Sequence, residues 1–317
     1  MADNQDWERG VLEKLAMSAI QEQRRARHWA IFFRALSFSF LFLLFALYMG
    51  WIGEGAEARL SVGKHTALVD LQGVIASDTE ASADNVIAGL QDAFEDQNTQ
   101  GVILRINSPG GSPVQAGYIN DEIRRLRAKY PKIPLYVVVE DMCASGGYYV
   151  AAAADSIFVN KASIVGSIGV LMDGFGFTGT MEKMGVERRL LTAGENKGFL
   201  DPFSPMSDMQ KTFARGMLGE IHQQFIDVVR QGRGKRLKET PDMFSGLFWT
   251  GQKSIAMGLA DAIGSVDAVA RDVIKAEDIV DYTSREGLAE RLARRFGAGI
   301  ASAFPGFGAH SNGVSLR

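Results

Sequence analysis

Ser145 lies in the stretch from Asp141 to Asp155, Asp-Met-Cys-Ala-Ser-Gly-Gly-Tyr-Tyr-Val-Ala-Ala-Ala-Ala-Asp. The run before it, Pro134 to Val139, is rich in β-branched and aromatic residues and reads as a buried strand. The alanines after it favour a helix. The serine therefore stands where a strand turns into a helix. Gly146 and Gly147 carry no Cβ, so the chain can bend sharply there and a substrate can lie close. The first helical amides have no partner within the helix, and the dipole favours negative charge. A hydroxyl beside such anion stabilisers suits serine acyl transfer. Taken alone, a Ser-Gly-Gly is better read as a helix cap with close-packing glycines.

Other residues decide between these readings. The loop Ser108-Pro109-Gly110-Gly111-Ser112 also follows a strand and precedes a helix, and its glycines could aim backbone amides at a ligand. A plain tight turn is the alternative. Two such loops in one domain raise the prospect of a shared oxyanion site at the carboxyl ends of neighbouring strands. Gly174 to Gly179 matches G-x-G-x-x-G, but late in the chain and with Phe175 and Phe177 in it. A glycine-rich turn with buried aromatics is the simpler reading.

A base is also needed. There are four histidines: His28, His65, His222 and His310. His28 precedes an apolar span, His65 sits at a linker edge, His222 reads as structural within a helix, and His310 is in the tail. No metal-binding spacing is present, and Cys143 replaces the first glycine of a G-x-S-x-G elbow. Lysine can act as a base once burial lowers its usual pKa of about 10.4. Lys197, in Gly194-Glu195-Asn196-Lys197-Gly198, is the candidate, because the apolar segment Phe199 to Pro205 could cover it.

The elements that must position these groups alternate. Strands are expected at Thr66 to Ile75, Gly101 to Ile106, Leu135 onward, Ser156 to Val159, Val165 to Leu171 and Val186 to Thr192. Helices are expected at Ala83 to Phe94 and at Val114 to Tyr130, the latter with Tyr118, Ile119, Ile123 and Leu126 as its apolar stripe. The helix from Asp208 to Arg230 carries Phe213, Met217, Ile221, Phe225 and Val229 at helical spacing, as core packing. Residues 252–264 and 266–275 close the fold. This predicts an α/β architecture with a mostly parallel sheet.

With 317 residues, 46% of them hydrophobic, and a net charge of −3, the chain suits one large or two small globular domains. Mild acidity and the lack of a basic, aromatic-interleaved patch argue against nucleic acid. The single cysteine, Cys143, excludes an intrachain disulfide. Ala35 to Ile52 has no charge and, with Trp29 to Phe33, is long enough to cross a bilayer. Arg24, Arg25, Arg27 and Arg34 precede the span, whereas Arg59 and Lys64 follow it. The positive-inside bias puts the N-terminus in the cytoplasm. Ala56-Glu57-Ala58 resembles a signal cleavage site, but the apolar region is longer than a signal peptide's usual 7–15 or so residues, favouring an uncleaved anchor. A core helix fits less well, since the segment is apolar all round. The expected layout is a cytoplasmic head (1–28), an anchor (29–52), a linker (53–65), a catalytic domain (66–282), and an amphipathic helix with a flexible tail (283–317).

Ser-Pro-Gly-Gly-Ser, Ala-Ser-Gly-Gly-Tyr-Tyr-Val-Ala, Gly-Ser-Ile-Gly-Val and Glu-Asn-Lys-Gly occur in this order between Thr66 and Ser265. This set resembles the S49 peptidase family, signal peptide peptidase A (protease IV) type, in its short single-repeat form. The resemblance implies a fold similar to Clp protease and crotonase. It implies Ser145 as nucleophile, Lys197 as general base, Ser167 as the residue that orients the lysine, and oxyanion donors from Gly146, Gly110 and Gly111. It further implies no cofactor or metal, peptide substrates such as released signal peptides, and a homo-oligomeric ring in which one subunit's serine meets its neighbour's lysine. The expected location is the bacterial inner membrane, with the catalytic domain outside the cytoplasm. The rivals are a crotonase-like acyl-CoA enzyme, which the anchor disfavours, and a catalytically idle membrane scaffold.

Overall fold

The structure, a computed structural model, describes residues 2–48 and 63–284. Helix α1 (Ala2–Tyr48) is continuous, and its Gln23–Ala46 segment of 24 residues is long and apolar enough to cross a membrane. At 1.5 Å per residue that segment is about 36 Å long, against a hydrocarbon core of about 30 Å. Most of the phenylalanines along it, Phe38 and Phe42 among them, face outward. The expected far-side anchor residues around Trp51, the linker as far as Val62, and the expected 285–296 helix lie outside the described residues.

Residues 63–284 form a sheet flanked by helices. Strands β1 (His65–Gln72), β2 (Thr99–Ser108) and β3 (Leu135–Ala144) are joined by α2 (Ala83–Glu95) and α3 (Pro113–Lys129). Each connection is a parallel crossover, which needs a helix to carry the chain back. Ser82 caps α2 by accepting from the Asn85 amide, and Ser112 caps α3, with Pro113 in its first turn. Short elements follow: α4 (Gly146–Ala151), β4 (Ser156–Val159), β5 (Ile164–Gly166) and α5 (Thr178–Lys183). The long α6 (Asp208–Arg233) starts at a capping box of Ser207 and Gln210. Strand β6 (Phe248–Thr250), α7 (Gly251–Ala256), β7 (Ala262–Ile263), α8 (Val266–Ala268) with the π-helical turn Val269–Ile274, and β8 (Ile279–Asp281) complete the unit.

The sheet runs β6-β5-β3-β2-β1-β8, with only β6 antiparallel to its neighbour. Strand β3 forks. Its first half pairs with β4 through Tyr136–Val138, and its last residues pair with β5 in the register Met142↔Ile164, Cys143↔Val165, Ala144↔Gly166. Both faces are buried, as parallel sheets require. Val69, Leu104 and Val137 meet Leu90, Phe94, Ile119 and Ile123 on one side, while Leu68, Ile103 and Val138 meet Val269 and Ala270 on the other.

Several expectations change. The strand expected over Val165 to Leu171 ends at Gly166, because Gly166 (φ +116°) and Ser167 (φ +51°) turn the chain away. Val186 to Thr192 forms no strand. Its β-branched and leucine content fits a strand, but the Val186 N–H donates to Met181 O (2.9 Å) in α5, and none of its residues pairs with a strand of the sheet. Tyr118 is exposed, unlike Ile119, Ile123 and Leu126. Of the α6 stripe only Phe225 and Val229 are buried, and Phe213 is exposed. Phe175 and Phe177, expected inside a glycine-rich turn, lie on the surface.

One ion pair locks α6 against the sheet. Arg233, 1% exposed, donates from Nη1 and Nη2 to both Asp261 oxygens (2.9 and 2.8 Å) and from Nε to Gly258 O. Burial opposes ionisation of Asp261, but the Arg233 hydrogen bonds and charge, with the Ile157 amide and Arg236, outweigh it and hold its carboxyl below the ordinary range. A lowered folded-state value stabilises the fold above the unfolded carboxylate pKa of about 4 and is lost as pH falls through the folded value. Asp261→Asn should destabilise residues 63–284 by about 3–5 kcal/mol at neutral pH and flatten the acid limb of stability against pH, both read by denaturant titration. An unchanged acid limb would assign the pH dependence to other carboxylates.

Candidate active site

The β3/β5 register sets the site. Ala144 opposes Gly166, so Ser145 and Ser167 follow side by side at the carboxyl ends of paired parallel strands. Ser145 has φ +51° and ψ −122°, a conformation that costs a non-glycine residue on the order of 1–3 kcal/mol. It is held on both sides: its N–H donates to Gly166 O (2.8 Å), and its C=O accepts from Tyr149 N–H (3.0 Å). Although it occupies the N-cap of α4, its hydroxyl makes no capping hydrogen bond. The plain cap reading therefore fails, and the hydroxyl is left to the cavity beside it.

That cavity has a volume of about 580 Å³. Ser145, Ser167, Gly146 and Gly111 line it with Pro109, Pro113, Tyr149, Val170, Ile221 and Phe225. Its walls are largely apolar, as peptide side-chain pockets are. The sequence reading missed these walls, because Ile221 and Phe225 carry the same helical spacing as core residues.

The glycine loop divides its work. Ser108 Oγ donates to Gly73 O (2.6 Å) and accepts from Gly110 N–H (3.1 Å), which commits that amide. The loop also pairs with the Ile75 backbone, from Ile75 N–H to Gly110 O and from Ser112 N–H to Ile75 O. Neither bond uses the Gly111 N–H. A Cβ on Gly146 would lie 3.2 Å from Gly111 N, so the two amide-bearing segments adjoin. The Gly146 amide, at the start of α4, has no acceptor within its helix.

Cys143, two residues before Ser145, is fully buried, and burial pushes its thiol up, so it is no rival nucleophile. His222 Nε2 donates to Ile168 O (3.2 Å) and does not face Ser145 through that nitrogen. Among the described residues no group of His, Cys, Asp and Glu is placed to hold a metal ion. Lys197 sits in a turn where its N–H donates to Gly194 O (3.1 Å). It is exposed and does not line the cavity. The expected cover by Phe199 to Pro205 leaves Lys197 exposed: Phe203 is itself on the surface, and Phe199 packs against Phe213.

Gly110 tests the geometry. It has φ +98°, and a Cβ there would lie 2.6 Å from Gly146 N and 2.7 Å from Ser145 Cβ. Gly110→Ala must displace the Ser145 turn. Labelling of Ser145 by a fluorophosphonate probe should fall by roughly 10–100-fold, the cost of a displacement approaching 1 Å, with the far-UV spectrum unchanged. Labelling at the original rate would mean that the loop does not constrain the serine.

The profile of peptidase family S49 matches residues 127–279. Over 177 residues the chain is 47% identical to the Na(+)/H(+) antiporter NhaA of Brucella melitensis, a match covering 56% of this chain and 24% of that protein. The chain thus spans about a quarter of that relative's length. It is 31% identical over 225 residues to protease 4 of Haemophilus influenzae, covering 70% of this chain and 36% of that protein. It is 32% identical over 227 residues to MJ0651 of Methanocaldococcus jannaschii, provisionally named a protease, covering 68% of this chain and 72% of that protein. A serine on a strained strand-to-helix turn, the ordered glycine motifs around it and these matches together place the chain in peptidase family S49.

Proposed function

We propose that this protein is a membrane-anchored serine endopeptidase that cleaves extended apolar peptides, released signal peptides among them. The observation that carries the reading is the uncommitted Ser145 hydroxyl at a strained turn, opening on an apolar cavity beside Ser167. A neutral lysine takes the Ser145 Oγ proton as Oγ attacks the substrate carbonyl carbon. The oxyanion that forms accepts from the Gly146 and Gly111 amides, while Gly110 supplies space. The lysine returns the proton to the leaving amine. Water, deprotonated by the same lysine, then attacks the acyl carbon, and the lysine passes that proton to Ser145 Oγ as the acyl–oxygen bond breaks. Ser167 holds the lysine by a hydrogen bond to its hydroxyl.

Lys197 is the proposed base, supplied by a neighbouring subunit. Two observations support this. Lys197 is exposed and outside the cavity of its own chain. The segment that carries it is also unusually apolar on the surface, with Leu171 80%, Phe175 81% and Leu191 97% exposed. Patches of that kind mark interaction surfaces. A ring repeats one heterologous junction, so every junction can build a site. For the anchor, α1 and the cluster Arg24, Arg25 and Arg27 at the N-terminal end of its apolar segment support a cytoplasmic N-terminus with the catalytic domain on the far side.

Ser145→Ala should abolish cleavage of a fluorogenic apolar peptide without loss of fold, and turnover at the original rate would rule the mechanism out. Lys197→Arg should be equally inactive, because arginine stays protonated. Ser145→Ala and Lys197→Ala, each inactive alone, should regain activity when co-expressed with two affinity tags, because some junctions pair an intact serine with an intact lysine. Mixed oligomers that remain inactive would put the base elsewhere. Protease added outside spheroplasts should digest the region after residue 53, whereas protection until lysis would reverse the topology.

A further inference from the structure

Three consecutive residues, starting from the last residue of β5, are each tied to a different element. Gly166 O accepts from Ser145 N–H (2.8 Å), Ser167 N–H donates to Leu247 O (2.7 Å), and Ile168 O accepts from His222 Nε2 (3.2 Å). The first two ties are main chain to main chain. The third comes from a side chain on α6, the helix whose Ile221, Gln224 and Phe225 line the cavity. The turn needs such ties. Ser167 has φ +51°, which an L-residue abandons unless its surroundings hold it.

We infer that His222 is a positioning residue for this site: its imidazole clamps the Ile168 carbonyl and so fixes the Ser167 turn and the Ser145–Ser167 pair. The inference rests on the peptidase reading of Ser145 and Ser167 given above. The platform behind the ring is firm. Phe225 and Val229, further along α6, are buried in the core, and Phe225 packs against the Tyr149 ring at 5.2 Å. Ile168 itself is fully buried, so its carbonyl cannot swing far. A carbonyl only accepts, so Nε2 must carry a proton in this contact. Both the imidazolium and the neutral ring protonated at Nε2 satisfy it. The same contact occupies that nitrogen, which leaves His222 to hold the site rather than to accept the serine proton through Nε2.

The experiment compares His222→Ala and His222→Gln in the full-length protein, with Ser145→Ala as control and a fluorogenic apolar peptide as substrate. The glutamine Nε2 can take the place of the imidazole Nε2, so it restores the donor without the ring. In His222→Ala, kcat should fall roughly 10–100-fold, with KM within about twofold and the thermal midpoint nearly unchanged, because the loss is of alignment. His222→Gln should return kcat to within about threefold of the original. A kcat in His222→Ala equal to the original overturns the inference. So does a glutamine variant as impaired as the alanine variant, since ring packing and not the hydrogen bond would then matter. A rise in KM alone also overturns it, by assigning His222 to substrate binding. If the unmodified protein shows no turnover that Ser145→Ala removes, the peptidase reading fails first. Activity that depends on Ser145 but is indifferent to His222 sinks the positioning role alone.

Discussion

The hydrogen bond from Ser145 N–H to Gly166 O joins the end of β3 to the end of β5, and the site depends on it. It is the last rung of a short parallel ladder, placed where β3 has already left β4 and taken up a second partner. The cavity opens beyond the carboxyl ends of β3 and β5, where Ser145 and Ser167 line it. The bond also stabilises a conformation that the serine would not adopt alone. Strain at Ser145 is offset by two main-chain bonds on either side of its Cα, so the hydroxyl needs no capping role and stays uncommitted. Gly146 and Gly147 pack close against the Gly110–Gly111 loop and Ser108, where a Cβ would come within 3.2 Å of Gly111 N and of Ser108 O.

The surrounding polar groups serve the same constraint at one remove. Ser108 is fully buried and spans Gly73 O and Gly110 N–H, so it fixes the glycine loop against the end of β1. Tyr148 is buried behind the Ser145 turn, where its hydroxyl donates to Leu259 O (2.8 Å) and burial raises its pKa. Arg233 and Asp261 pin α6 from below, and α6 in turn forms one cavity wall. Each polar group sits where an unmet donor or acceptor would be expensive, so each has a defined partner.

The residues between β5 and α6 behave differently from the rest of the domain. They carry large apolar side chains on the surface, little regular structure and the lysine proposed as base. A lysine is neutral near physiological pH only where water is largely excluded. One subunit does not exclude it at Lys197, whereas an apolar neighbour covering the same tract would. The exposed lysine and the exposed apolar residues are the two features that the proposed junction between subunits would cover.

Periodicity and composition determined the alternation of strands and helices, the parallel sheet, the apolar N-terminal helix and the glycine turn at Ser145. Those features are local: β-branched runs, alanine after glycine, and serine caps express themselves within a few residues. Ser145 stood out because its strand-to-helix setting is written in the residues beside it. What lay beyond the sequence depended on partners far along the chain. Val186 to Thr192 has strand composition but pairs with no strand of the sheet. The Phe213–Val229 stripe has core spacing, yet α6 buries only its C-terminal half and lends Ile221 and Phe225 to the cavity. Gly110 and Gly111 look alike in the sequence, and only the Ser108 side chain separates them by taking one amide. The Ser145–Ser167 adjacency comes from the register of β3 on β5, and a register is a tertiary choice, set by which strand ends the packed helices bring together.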